Sequence, residues 1–218
     1  MAVRVVLEVA PKRAFASALD WPGWSRSAKT PDEALEALLA YGSRYEPVTK
    51  RAKAAFVPPA TVRGLKVVQR QSGGSGTEFG VPSSTAKAEN EPLAGRELTR
   101  MLALLEAAWA TFDAAAKRAG GTQLRLGPRG GGRQVPKMIE HVREAEAAYT
   151  HQIGVKVRRD ASMADLRAAM LEGLALVAAG KPLPEPNRVR KPWSPRYAIR
   201  RSAWHALDHA WEIEDRAT

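Results

Sequence analysis

The chain contains no cysteine, which excludes a disulfide framework, thiolate metal ligands and a protein thiol nucleophile. Any thiol chemistry would have to draw on an external thiol. No stretch approaches the roughly 20 apolar residues that a membrane span needs. The apolar start, Met1 to Glu8, is broken by Arg4 and has no small-residue cleavage site. It reads as a strand rather than a secretory signal, so cytoplasmic residence is the expectation. A dense basic arm is also missing. The net charge is +11, with 13 Lys/Arg against 8 Asp/Glu in residues 1–90 (+5) and 21 against 15 in 91–218 (+6). An excess spread this way is compatible with nucleic-acid binding without indicating it.

What is present suffices for a globular protein. Apolar residues make up 44% and charged residues 26% of the 218, enough to bury a proper core in one domain or two. Residues 3–9 alternate, with Val3, Val5, Leu7 and Val9 on one side and Arg4 and Glu8 on the other, which is a strand period. Residues 13–19 alternate again through Phe15, Ser17 and Leu19. Trp21-Pro22-Gly23-Trp24 makes a turn into a short strand at Ser25–Ala28. Thr30-Pro31-Asp32-Glu33 is a capping-box start for a helix that Leu35, Leu38, Leu39 and Tyr45 carry to about residue 54. Residues 65–70 form a further strand. Residues 73–91, rich in Gly, Ser and Pro, read as a linker.

Beyond the linker the pattern turns helical. Leu98, Met101, Leu102, Leu105, Ala108, Trp109, Phe112 and Ala116 form one stripe. A second helix from about Arg133 to Gln152 has an apolar arc of Val135, Met138, Ile139, Val142, Ala145 and Tyr149. A third starts at Ser162 and stops at Gly180, and a fourth opens at Ser194-Pro195 and runs to Arg216. The fold expected is an α+β unit over 1–72 (β-β-β-α-β) followed by an all-α four-helix bundle over 92–218.

Only four histidines occur. His205 and His209 are four apart on the last helix, a spacing that lets one helix offer two imidazoles to one ion. At 100° per residue, His141 falls just beyond the edge of its own helix's apolar arc, as does His209, with His205 a little further round. Ligands lining a cleft between helices would sit there, and so would surface histidines. His151, near a helix end, reads as a C-terminal-turn cation. Trp204 and Trp211 fall on the apolar side of the last helix as core anchors.

The strand pair leading to "WPGWSRSAKTPDEALEALLAY" makes residues 1–72 resemble the HicB-like domain of antitoxins. That implies a partner protein, although the separate DNA-binding segment such antitoxins often carry is not evident. Residues 92–218 resemble the DinB/YfiT-like superfamily of metal-binding four-helix bundles. The resemblance rests on a histidine in the second helix and a His-x-x-x-His pair in the fourth, and it implies His141, His205 and His209 as ligands of a divalent ion: zinc, nickel, iron or manganese. Some members are S-transferases or isomerases that use a low-molecular-weight thiol.

Three neutral imidazoles leave a divalent ion with open positions, as in catalytic sites. Such an ion lowers the pKa of a bound water or thiol. A cysteine-free transferase or hydrolase acting this way is the leading expectation, with the first unit as a dimerisation or lid element. Glu144, Asp208 and Glu212 are candidates to orient the ligands, against plain surface ion pairing. Arg133, Lys137 and Arg201 precede the histidines by one or two turns. If the second and fourth helices run parallel, they gather at one end of the site, where they could hold a small anionic substrate. Gly127–Arg133 ends at a helix start and could be an anion loop, a lid or an ordinary connection. Arg188 to Tyr197 mixes cations and aromatics; it could bind single-stranded nucleic acid, or Trp193 and Tyr197 could simply pack on the bundle. The alternative function is a non-enzymatic protein- or nucleic-acid-binding module.

Overall fold

The computed structural model describes residues 2–127 and 132–217. It is α+β, with a four-stranded mixed sheet and seven α-helices among the described residues. Strand β1 (Val3–Ala10) lies between β2 (Arg13–Ala18), antiparallel to it, and β4 (Leu65–Ser72), parallel to it. β3 (Ser25–Ala28) pairs antiparallel with β2, giving the order β3-β2-β1-β4. Gly23 makes the turn before β3 at φ +93°, a conformation open to glycine. Helices α1 (Pro31–Ala40) and α2 (Gly42–Arg51) form the crossover that a parallel β1–β4 pair requires. The capping box at Thr30 and Glu33 starts α1. The helix expected to run on to residue 54 instead breaks at Tyr41. There, side-chain-free Gly42 admits Pro58, which would come within 2.9 Å of a Cβ at that position.

The segment 73–91 is folded where a linker was expected. It contains α3 (Ser75–Phe79) and a 3-10 turn at Lys87–Asn90. The carboxylate of Glu8 is the reason. On the side of β1 opposite Val3, Val5 and Leu7, it is 2% exposed and accepts hydrogen bonds from the Thr77 hydroxyl and from the Ser83 and Ser84 amides at 3.1 and 3.0 Å. Both faces of β1 are therefore covered.

Four long helices follow: α4 (Gly95–Arg118), α5 (Val135–Gln152), α6 (Met163–Ala178) and α7 (Pro195–Ala217). Ser162 caps α6, accepting from Asp165 N, and Gly180 ends the turn beyond it at φ +64°. Ser194 Oγ accepts from Tyr197 N at the start of α7. The apolar arc of α5 is shifted from the expected one. Ile139 is 40% exposed, whereas Glu146 is 2% exposed and paired with Arg167 of α6 at 3.0 Å.

The main hydrophobic core runs without interruption from Val3 in β1 to Ile213 in α7. Helix α7 is its axis, buried on nearly every side. Phe15 of β2 meets the edge of Trp204, Tyr41 that of Trp211, and a Cβ on Gly23 would lie 2.6 Å from Leu207. Arg44 of α2 ties this contact at its far end to Glu214 and Asp215. The two units expected from the sequence thus share one core. No described helix is long and apolar enough to cross a membrane.

Candidate metal centre

Helices α5 and α7 run antiparallel. Gln152 O accepts from Trp193 N at one end, His141 faces His205 in the middle, and Arg133 O accepts from Arg216 Nη1 at the other end. His141 on α5 and the His205/His209 pair on α7 meet across this contact. One ligand nitrogen from each lies within 4.8 Å of the others. His141 Nε2 and His205 Nε2 are 3.2 Å apart. Two nitrogens each about 2.0–2.1 Å from one ion stand roughly 3.0–3.4 Å apart, so this pair has the spacing of two ligands on a shared cation.

Protonation state favours the same role. Burial, then the neighbouring His209 and Arg133, hold the His141 pKa below the usual imidazole value. Burial pushes His205 well below it, with His209 and Arg201 adding to the effect. Both rings are therefore neutral at neutral pH, the form that binds metal. His205 and His209 are 7% and 9% exposed, while His141 is only partly buried and leaves the site open on the α5 side. The helical-wheel reading had placed His205 and His209 at an edge. They are buried because α5 closes over that edge.

Of the three carboxylates considered as orienting groups, only Glu212 takes that position. Its Oε2 accepts from His209 Nδ1 at 3.0 Å, which turns Nε2 toward the other two rings. The bond to His209 draws the Glu212 pKa down. Asp208 instead binds Arg26 of β3 at 3.0 Å, and Glu144 is exposed, reaching His141 only through space. His205 Nδ1 is buried without a hydrogen-bond partner.

Because α5 and α7 are antiparallel, the expected cations do not gather at one end. Arg133 and Lys137 lie toward the Arg216 end, and Arg201 lies beside Tyr149 and Trp204 at the other, its guanidinium 5.1 and 4.8 Å from their rings. Arg133 and Arg201 still both act on His205 electrostatically. The loop read as a candidate anion element, Gly127–Arg133, lies at residues 128–131 outside the described residues.

Two contributors escaped the sequence reading. Arg216 donates Nη1 to Glu212 Oε1 at 2.7 Å and to Arg133 O at 2.9 Å, and Nε to Arg125 O at 2.7 Å. It thereby braces the carboxylate that orients His209. Its spacing of four from Glu212 was a visible signal. Tyr149 presents its ring to the His205 ring at 5.7 Å, edge to face, and carries the Arg201 guanidinium 5.1 Å from its centroid. Burial pushes its pKa up. Its place in the apolar arc, two turns beyond His141, gives it the pattern of a core residue.

Compared with protein-family models, with curated proteins and with solved structures, the chain matches none.

Proposed function

We propose that the chain is a divalent-metal protein of DinB-like type, with His141, His205 and His209 as ligands and a transferase- or hydrolase-type activity. The observation that carries this reading is the meeting of three imidazoles from two helices, one of them oriented by the Glu212 carboxylate. The packing of α4 to α7 supports the DinB-like expectation, and three strands followed by helices α1 and α2 and a fourth strand support the HicB-like one, with the single expected helix split in two. The first unit, sharing its core with α7, then serves as a dimerisation element rather than as a lid.

A bound divalent ion would supply a Lewis acid able to lower the pKa of a coordinated water or external thiol. The chain's own residues do the rest. Burial keeps His141 and His205 neutral and available. Glu212, braced by Arg216, fixes the tautomer and direction of His209. Arg133 and Arg201 raise the local positive potential from opposite ends, which favours an anionic small molecule over a cationic one. Zinc, nickel, iron and manganese all accept imidazole, so the donor set does not choose among them.

Elemental analysis of protein purified without chelator tests the reading. About one equivalent of a divalent metal is expected, absent from the His205→Ala, His209→Ala double variant. Equal metal content in the two proteins would refute it.

A further inference from the structure

The end of α5 remote from Arg133 opens on a cleft that the metal centre does not use. Its cavity, about 520 Å³, is lined by Arg143, Glu144 and His151 of α5 and by Lys156, Arg158 and Arg159 of the connection that follows. A second stretch borders it. Asn187 N donates to Gly154 O and Trp193 N to Gln152 O, so residues 188–192 are anchored at both ends across the end of α5. They carry Arg188, Arg190 and Lys191, all exposed.

The charge on this face is poorly neutralised. Lys156 pairs with Glu185 at 3.8 Å and Arg158 with Asp160 at 2.7 Å, both in exposed pairs of the kind worth little. Arg143, Arg159, Arg188, Arg190 and Lys191 have no ion pair among the described residues. The five are spread over three segments, so they suit several charges in a row better than one. None of the large exposed hydrophobic side chains, Val57, Val67, Val68, Phe79, Leu126 and Ile139, lines the cleft. Protein interfaces bury an apolar centre, whereas backbone recognition of nucleic acid is polar and rich in arginine.

We propose that this cleft and the adjoining 188–191 stretch bind the phosphate backbone of nucleic acid. The site is independent of the metal centre. Guanidinium groups on Arg143, Arg159, Arg188 and Arg190 offer paired N–H donors to phosphate oxygens, and the concave floor admits the backbone without reading bases.

The test is fluorescence anisotropy of a labelled single-stranded 20-mer of mixed sequence with the full chain, titrated at several salt concentrations. If five phosphates are engaged, log Kobs should fall against log[salt] with a slope of about −3.5. Arg143→Gln, Arg159→Gln, Arg190→Gln together should flatten that slope by about 2 and weaken binding about 100-fold at 0.1 M salt. Unchanged circular dichroism and metal content would show the variant intact. Absence of binding at low salt, unchanged binding by the variant, or equal competition by polyglutamate at matched charge would each overturn the proposal.

Discussion

The deepest ion pair among the described residues joins Arg200 of α7 to Glu89 in the segment that precedes α4, with side chains 2% and 4% exposed. Arg200 Nε bonds Glu89 Oε1, and its Nη2 reaches Glu89 Oε2 and Ser84 O, each at 3.1 Å. Replacing Glu89 with Ala leaves a buried guanidinium with the Ser84 carbonyl as its remaining hydrogen-bond partner and the Tyr197 ring 5.0 Å away. Removing one partner of such a pair costs about 3–5 kcal/mol. For a chain of this size that corresponds to a fall in Tm of roughly 10 °C. Replacing both partners, as in Glu89→Leu with Arg200→Met, removes the stranded charge and should cost less than Glu89→Ala alone, although the Ala86 amide and Ser84 carbonyl lose their partners. Urea unfolding followed by tryptophan fluorescence measures all three proteins, and limited proteolysis reports whether residues 73–91 open. A loss below about 1 kcal/mol for Glu89→Ala, or a double variant no more stable than Glu89→Ala, would refute the view that this segment is welded to α7 through charge.

Glu212→Gln should weaken metal binding about 10- to 100-fold through the loosened His209, read by competition with a chromogenic chelator; a change below threefold would remove Glu212 from the site. Glu146 provides a pH prediction. Burial pushes its pKa from 4.5 up to about 7 against the pull of Arg167. A raised carboxyl pKa contributes stability below about pH 4.5 that is lost as pH rises to about 7, a change of roughly 3 kcal/mol. Glu146→Gln should therefore gain stability relative to the parent between pH 5 and 7.5 in urea titrations, and a constant difference would contradict the assignment. Gly23→Ala places a Cβ 2.6 Å from Leu207 and 3.2 Å from the Ala203 backbone at φ +93°. A loss of about 2 kcal/mol or more is expected in the same assay, with the sheet loosened from α7.

Local signals carried most of the secondary structure. Period-two alternation at Val3, Val5 and Leu7 and the capping residues Thr30 and Ser162 act within a few residues, so the chain states them in order. Long-range charge pairing did not show. Arg200 and Glu89 are 111 residues apart, and Glu8 finds its donors near residue 80, so no local pattern announces either pairing. The helical wheel assumed one partner face for α7. Sheet, α4 and α5 surround it instead, and His205, His209 and Arg216 consequently went inside. The histidine set was legible as spacing, but its assembly depended on α5 crossing at His141. The antiparallel direction that separates Arg133 from Arg201 was written in no local feature.

The central position of α7 also has a consequence for synthesis. Strands β1 to β3 leave the ribosome early, yet the surfaces that cover Phe15, Gly23 and Tyr41 belong to Trp204, Leu207 and Trp211. Until α7 emerges, the nascent sheet has an uncovered apolar side, the condition that invites association with neighbouring chains. Two of the three imidazoles arrive on that same helix. Tertiary closure and creation of the histidine centre are therefore expected as a single late event, and a chain truncated before residue 195 should accumulate in aggregates rather than as a folded N-terminal fragment.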